Sequence, residues 1–303
     1  MLAVLTFFQA AYTSIGYALI YDTFPADKTA KIIASVGVLM AITPVVAPYI
    51  SLTITERYGW TMLFYALSAY SLLLSFGILL QVKARKIPSI RPKLVKGFAN
   101  LMRNQAYLKY CFSLALTFST FILFQQNAYA IFTHVMHVHA QHYAMAYALA
   151  SSPYLLSTIA VRKLIQKMTI GAIAKTGTGL LATGYLMLAL AALFPAHLLS
   201  TFFGWLGVMI AMAGTGIAMP SSKIGAISSI ETQIGTASSG MKFIQIGSSI
   251  GIAWIAAHMM DTGNATSTLV LLAVCASIAA LIHYSSQLKI QDMPYSKKEA
   301  SLA

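Results

Sequence analysis

Charge is scarce in this chain. Only 9% of its 303 residues are charged and only 7 are acidic, where a soluble domain carries about a quarter charged residues. Cysteine is nearly absent: Cys111 and Cys275 both fall inside apolar runs and read as small core residues rather than a disulfide. A Gly-rich phosphate loop, a His-Glu-x-x-His pattern and a Ser/His/Asp set at one depth are all missing, so no enzyme chemistry and no cofactor are expected. What remains is apolar. The chain is 58% hydrophobic with a mean hydropathy of +0.74, more than the core of a soluble fold this size can hide, and the lipid bilayer is the expected solvent. The net charge of +13 is not a nucleic-acid signal, because the basic residues sit in short connections between apolar runs, where they set membrane orientation.

A membrane-crossing helix needs about 20 mostly apolar residues. Nine windows qualify: Leu2–Ile20, Ile32–Ile54, Trp60–Val82, Tyr107–Phe132, Tyr143–Val161, Thr176–Phe194, Leu198–Pro220, Gly235–His258 and Thr268–Tyr284. None alternates apolar and polar as barrel strands do, so an all-α membrane protein is expected. No basic region precedes Leu2–Ile20, so no cleavable signal peptide is expected there. With the spans placed, 18 of the 20 basic residues fall on one face, Arg57 alone falls on the other, and Lys242 lies inside the eighth span. The basic face is expected to be cytoplasmic, together with the Lys83–Arg103 connection and the C-terminus. Within that connection Leu94, Phe98, Leu101 and Met102 share a helical face, the pattern of a short amphipathic helix on the inner leaflet.

Several segments carry a family likeness. The first span runs into Tyr21-Asp22-Thr23-Phe24-Pro25. The second contains Thr43-Pro44-Val45-Val46-Ala47-Pro48. Tyr58-Gly59-Trp60 with Phe64 opens the third, Leu101-Met102-Arg103-Asn104 precedes the fourth, Met219-Pro220 closes the seventh and Gly235-Thr236-Ala237-Ser238-Ser239 opens the eighth. In this order, with three spans, a long basic loop and six more spans, the chain resembles a major facilitator superfamily transporter. It is most similar to the bicyclomycin/chloramphenicol-resistance (Bcr/CflA) branch of drug:proton antiporters. The resemblance implies a partial major facilitator fold of nine transmembrane helices, the fourth to twelfth of twelve. It divides the chain into 1–82 (three helices of the N-terminal half), 83–106 (a cytoplasmic linker), 107–285 (a six-helix half) and 286–303 (a tail). It also implies secondary active transport in the inner membrane: efflux of a small amphipathic compound coupled to protons. The alternatives are a transport-incompetent remnant of such a carrier and a metal-handling protein using His134–His142. The chain departs from the branch at Thr6, where an arginine usually precedes the residue matched by Gln9, and at Ser51-Leu52, where small glycines usually end the antiporter signature.

Candidate functional residues are the polar groups inside spans. Gln125, Gln126 and Asn127, followed by Tyr129, interrupt the fourth span, and at 100° per residue they cannot all share one face. Lys242, with Gln245 three residues on, is the charge inside the eighth; it either lines a cavity or snorkels to the near leaflet. Pro44 and Pro48 lie one turn apart and are expected to bend the second span. Gly247 and Gly251 are expected to let a neighbouring helix approach closely. All seven acidic residues fall in loops, at helix ends or in the tail. His134, His137, His139 and His142 form a histidine-rich loop with no carboxylate or cysteine beside it.

Overall fold

The structure is a computed structural model that describes residues 20, 24, 26–81, 98, 101–192, 197–230, 234–260 and 265–284. The first expected span, most of the 83–103 connection and the tail lie outside these residues. Eight long helices are described: α1 (Ala26–Tyr58), α2 (Trp60–Gln81), α3 (Gln105–Ala130), α4 (Tyr143–Leu164), α5 (Ile170–Ala191), α6 (His197–Ser228), α7 (Ile234–Met260) and α8 (Ala265–Tyr284). A π-helical turn, Ile131–Val135, extends α3, and a single 3-10 turn, Ala140–His142, leads into α4. Among the described residues six segments are long and apolar enough to cross a membrane: Trp60–Gly77, Gln105–Val135, Ala140–Leu164, Ile170–Ala191, Leu198–Ser228 and Ser267–Tyr284. Helices α1 and α7, 33 and 27 residues long, are also long enough to cross a bilayer.

Two helix starts are capped by side chains. Asn104 accepts from Tyr107 N–H at 2.9 Å and donates through its own amide to Ser229 C=O at 3.0 Å, so it caps α3 and ties it to the end of α6. Thr169 Oγ1 accepts from Ala172 N–H at 3.2 Å at the start of α5. Between α1 and α2 the chain turns on one residue, Gly59, at φ +80°. That is left-handed backbone, which glycine adopts without steric cost. Gly59 N–H still bonds Thr55 C=O at 3.0 Å, so α1 closes its last turn before the chain leaves it.

Helices α3 to α8 form one packed body. Their core includes Tyr107, Tyr110, Phe124, Phe132, Tyr185 and Met212, all nearly inaccessible. Helices α5 and α6 pair along their whole length, α6 also packs on α4 and α3, α8 bridges α5 and α3, and α7 lies on α3. The α5–α6 seam is built from glycine. A Cβ on Gly177 would lie 2.6 Å from Ala218 N, and one on Gly207 would lie 2.8 Å from both Gly184 O and Leu188 N. Gly214 faces Leu181 and Gly184 faces Ala211. The partner number falls along one helix as it rises along the other, so the two helices are antiparallel. Small residues let backbones close to this distance, and the gain is van der Waals contact along the seam. The expected close approach at Gly247 and Gly251 does not occur: nothing among the described residues lies within 4 Å of a Cβ at either.

One end of this body is defined by Tyr107 and Tyr110. The Tyr107 hydroxyl donates to Ala237 C=O at 2.6 Å. The Tyr110 hydroxyl would lie 3.3 Å from a Cβ on Gly171, its ring would lie 2.5 Å from one on Gly225, and the ring of His283 is 5.4 Å away. The starts of α3, α5 and α7 and the ends of α6 and α8 therefore share that end. At the other end Ser200 and Thr201 donate to the carbonyls of Val135 and Met136 at 3.0 and 3.3 Å. Arg103, Lys109, Arg162, Lys163, Lys167 and Lys175 all belong to helix ends or connections on the Tyr110 side, and Lys223 lies inside α6 toward the same side. Replacing Tyr107 by phenylalanine deletes a buried hydrogen bond and is expected to cost about 1 kcal/mol. Thermal unfolding in detergent would register it as a fall of about 2–4 °C.

Outside this body α1 docks on α4, with Gly37 against Thr158 Cγ2, and α2 packs principally on α1. Leu72 and Leu73 of α2 are 71% and 72% exposed, and its apolar surface is open on nearly every side. In water that surface would be costly; against lipid or further helices it is not. The amphipathic helix expected in the long connection lies mostly outside the described residues. Of its apolar face, Leu101 is buried, Met102 is exposed, and Phe98 would lie 3.2 Å from a Cβ on Gly240.

Candidate functional site

The helical rotation of 100° per residue splits the polar run in α3. Gln126 is exposed, and Tyr129, one turn on, is 52% exposed and meets Tyr143 edge to face at 5.2 Å. Thr133 continues that face and donates to Tyr129 C=O at 2.8 Å. Gln125 is half-buried, and it and Ser151 are side-chain hydrogen-bonding neighbours of the Tyr147 hydroxyl. Asn127 points inward, 8% exposed, and its amide donates to Leu123 C=O of its own helix at 2.8 Å. Asn127 is therefore spent on its own backbone, and Gln126 with Tyr129 forms the open polar face.

Behind that face lies an aromatic layer. Phe121 stacks on Tyr154 at 5.4 Å, Phe124 stacks on Tyr147 at 6.4 Å, and Phe132 meets Trp205 edge-on at 5.7 Å. Phe124 also contacts Tyr185 at 6.3 Å. These rings come from α3, α4, α5 and α6, and their offset and edge-on geometry locks the four helices together. The face carrying Gln126 and Tyr129 thus rests on a rigid backing. Tyr147, the partner of Gln125, carries no mark in the sequence; it is one tyrosine among several in an apolar span.

Lys242 and Lys223 are helical and lie toward the Tyr110 end. Lys242 is half-buried in α7, five residues beyond Ala237 and so about 7.5 Å deeper along the helix. Lys223 was expected in a connection after Pro220, but α6 runs unbroken through Pro220 to Ser228, and Lys223 is a half-buried charge inside the segment Leu198–Ser228. Proline is tolerated there because the neighbouring helices hold the bend it creates. Gln245 does not share the accessibility of Lys242: it is 1% exposed, and among the described residues its Oε1 has no hydrogen-bond partner. Thr117 Oγ1 and Ser222 Oγ are likewise buried with no partner among the described residues.

In α1 the helix continues without interruption through Pro44 and Pro48, and Pro48 is half-buried. Ser51 Oγ donates to Pro48 C=O at 3.0 Å. The histidine loop is spread out. His134, His137, His139 and His142 are all exposed, His137 takes φ 55°, and no group of three metal-ligating side chains forms among the described residues. The metal-handling alternative loses its ligand set. The described residues from 101 to 284 contain no aspartate or glutamate.

Comparison with known proteins adds a family match. The sequence profile described as Major Facilitator Superfamily matches residues 1–256. The chain is 20% identical over 235 residues to the chloramphenicol resistance protein CraA of Acinetobacter baumannii, which covers 77% of this chain and 56% of that protein. It is 28% identical over 123 residues to a bicyclomycin resistance protein homolog of Haemophilus influenzae, covering 39% of this chain and 31% of the other. Over 294 residues it is 23% identical to the multidrug resistance protein MdtL of Salmonella heidelberg, covering 94% and 72%. The chain thus spans 56% of the length of CraA and 31% of the length of the bicyclomycin resistance homolog.

Proposed function

The chain belongs to the Major Facilitator Superfamily, and from that premise we propose that it is a secondary carrier exporting small amphipathic compounds by alternating access, with protons as the coupling ion. The match over residues 1–256 carries this reading, and relatives named for chloramphenicol, bicyclomycin and multidrug resistance give it a substrate class. The bilayer is the inner membrane, and the basic Tyr110 end faces the cytoplasm together with the C-terminus. The six helices α3 to α8 act as one rigid half, and residues 1–82 belong to the other, which rocks against it.

The open face of α3 is the substrate wall. Gln126 offers an amide donor and acceptor, and Tyr129 offers a hydroxyl on an apolar ring. Gln125, held beside Tyr147 and Ser151, and Asn127, bonded to its own helix, keep that face in register. Lys242 and Lys223 place positive charge on the cytoplasmic side of the pathway, and Gln245, about one turn beyond Lys242 on α7, carries an acceptor with no partner among the described residues. Pro44 and Pro48 supply the bend on which α1 moves against α4. The described residues of α3 to α8 hold no carboxylate, so the coupling proton is carried either by another titratable group or by a residue outside those helices.

The test is accumulation of ethidium or chloramphenicol in cells making this chain, with and without a protonophore. Lower accumulation that the protonophore abolishes is expected. The double substitution Gln126→Ala, Tyr129→Phe is expected to slow efflux about thirtyfold, since two hydrogen bonds of about 1 kcal/mol each are removed, with membrane abundance unchanged. Equal accumulation in cells with and without the well-inserted chain would sink the carrier reading and leave a transport-incompetent remnant.

A further inference from the structure

Two prolines lie inside the described helices of the packed body, Pro153 in α4 and Pro220 in α6. A proline has no N–H, so the carbonyl four residues before it loses its usual partner in the helix. Those carbonyls belong to Leu149 and Gly216. Leu149 C=O is served by its own helix: Ser152, the residue before Pro153, donates to it through Oγ at 2.8 Å. The matching residue before Pro220 is Met219, whose thioether has no hydrogen to donate. Gly216 C=O accepts instead from another helix, where Thr158 Oγ1 of α4 donates to it at 3.2 Å.

The absence of a side chain at Gly216 allows that reach. A Cβ there would run into Ser157 Oγ and Tyr154 C=O, and would lie 2.9 Å from Thr158 Oγ1. Thr158 is buried, 4% exposed. Its hydroxyl has one hydrogen and two acceptors, Gly216 C=O at 3.2 Å and Tyr154 C=O of its own helix at 2.7 Å. The methyl group of the same side chain meets α1, since a Cβ on Gly37 would lie 3.8 Å from Thr158 Cγ2. One residue of α4 thus touches both the bend of α6 and the helix that lies outside the packed body. One turn before it, Tyr154 stacks on Phe121 of α3 at 5.4 Å, five residues ahead of Gln126. Helix α4 therefore bears on α1 near one end and on the wall of α3 along the rest.

We infer that Thr158 is a positioning residue for transport, the pin on which residues 1–82 move against the packed half. Its hydroxyl holds the α6 bend by bonding Gly216 C=O in one arrangement and turns back to Tyr154 C=O in the other, while its methyl group carries α1. This rests on the carrier reading above. A threonine that served only its own helix would bond the carbonyl four residues back and nothing else; here the single hydrogen is divided between that carbonyl and the one Pro220 leaves open.

The full-length chain in proteoliposomes under an imposed pH gradient tests this, with initial rates of ethidium and chloramphenicol transport measured per folded molecule. Thr158→Val keeps the shape and the methyl contact but removes the hydroxyl. It is expected to lower kcat about fivefold, the equivalent of one hydrogen bond within a bundle, with KM changed less than twofold. Thr158→Ser keeps the hydroxyl and should stay within twofold of the parent. Pro220→Ala restores an N–H for Gly216 C=O, so adding Thr158→Val to Pro220→Ala should cost less than twofold further. A kcat unchanged in Thr158→Val, with or without a lower melting temperature, would overturn the inference, because the hydroxyl would then only support the fold. A raised KM at constant kcat would also overturn it, since Thr158 would be a substrate contact. So would losses from Thr158→Val and Pro220→Ala that simply multiply. If Thr158→Val alone does not fold, the Pro220→Ala background decides: folding regained there supports the shared carbonyl, and folding still lost refutes it. An inactive parent would end the carrier reading and this inference with it, whereas an active parent indifferent to Thr158→Val would end this inference alone.

Discussion

Gly214→Leu should prevent the α5–α6 seam from closing and leave little folded protein in the membrane. Gly214 sits against the backbone of Leu181, and a Cβ there would lie 2.8 Å from both Gly177 O and Leu181 Cα. Those are main-chain atoms of a packed helix and cannot turn aside as a flexible side chain can. A leucine forces the helices apart along the whole register that Gly177, Gly184 and Gly207 also serve. The loss exceeds the cost of ordinary overpacking and is expected to be at least about 3 kcal/mol. It would be measured as detergent-soluble yield, elution on gel filtration and melting temperature. Gly247→Ala is the matched control. Its Cβ meets nothing within 4 Å among the described residues, and alanine raises helix propensity by about 1 kcal/mol, so equal or slightly higher stability is expected. A Gly214→Leu protein that melts with the parent would show that this seam does not hold the half together.

The second large effect is expected at Tyr110. This side chain is 2% exposed and touches three other helices at once: Gly171 of α5, Gly225 of α6 and His283 of α8. Tyr110→Ala removes an aromatic ring from a site whose opposing surfaces are glycines, so nothing nearby can swing in to fill the space. The expected cost is about 3–5 kcal/mol, with faster protease cleavage in the connections at this end of the bundle. Tyr110→Phe should retain most of the stability, because the ring, and not the hydroxyl, makes the contacts with Gly225 and His283. Similar losses for alanine and phenylalanine would point to the hydroxyl and refute the packing account.

Much of this fold is legible in the sequence because lipid demands long apolar runs. The windows from Ile32 onward fall on helices α1 to α8 for that reason. Their ends are less legible. Pro220 was read as a stop, and Lys223 with it as a loop cation, because in water a proline with a lysine after it ends a helix. Inside a bundle the helices around α6 hold the bend, and the charge ends up within the span. Glycine misled in the opposite sense. The i, i+4 pair Gly247 and Gly251 looks like a contact, whereas the contacts are made by Gly177 with Gly184 and Gly207 with Gly214, each pair seven apart. Spacing on one helix says which residues share a face; it does not say which neighbour that face meets. The polar run of α3 follows the same rule. Rotation alone predicts that Gln126 and Asn127 part company, but only the packed helices decide that Asn127 turns inward. Tyr110 and His283 are brought together across most of the chain, and no local pattern signals the pairing.

The single-residue junction at Gly59 has a consequence for biosynthesis. With Gly59 N–H bonded to Thr55 C=O and α2 beginning at Trp60, no slack separates the 33-residue α1 from the helix that follows. Release of α1 into the bilayer ahead of α2 is therefore not expected. Residues 26–81 are expected to partition into the bilayer together, as one helical hairpin.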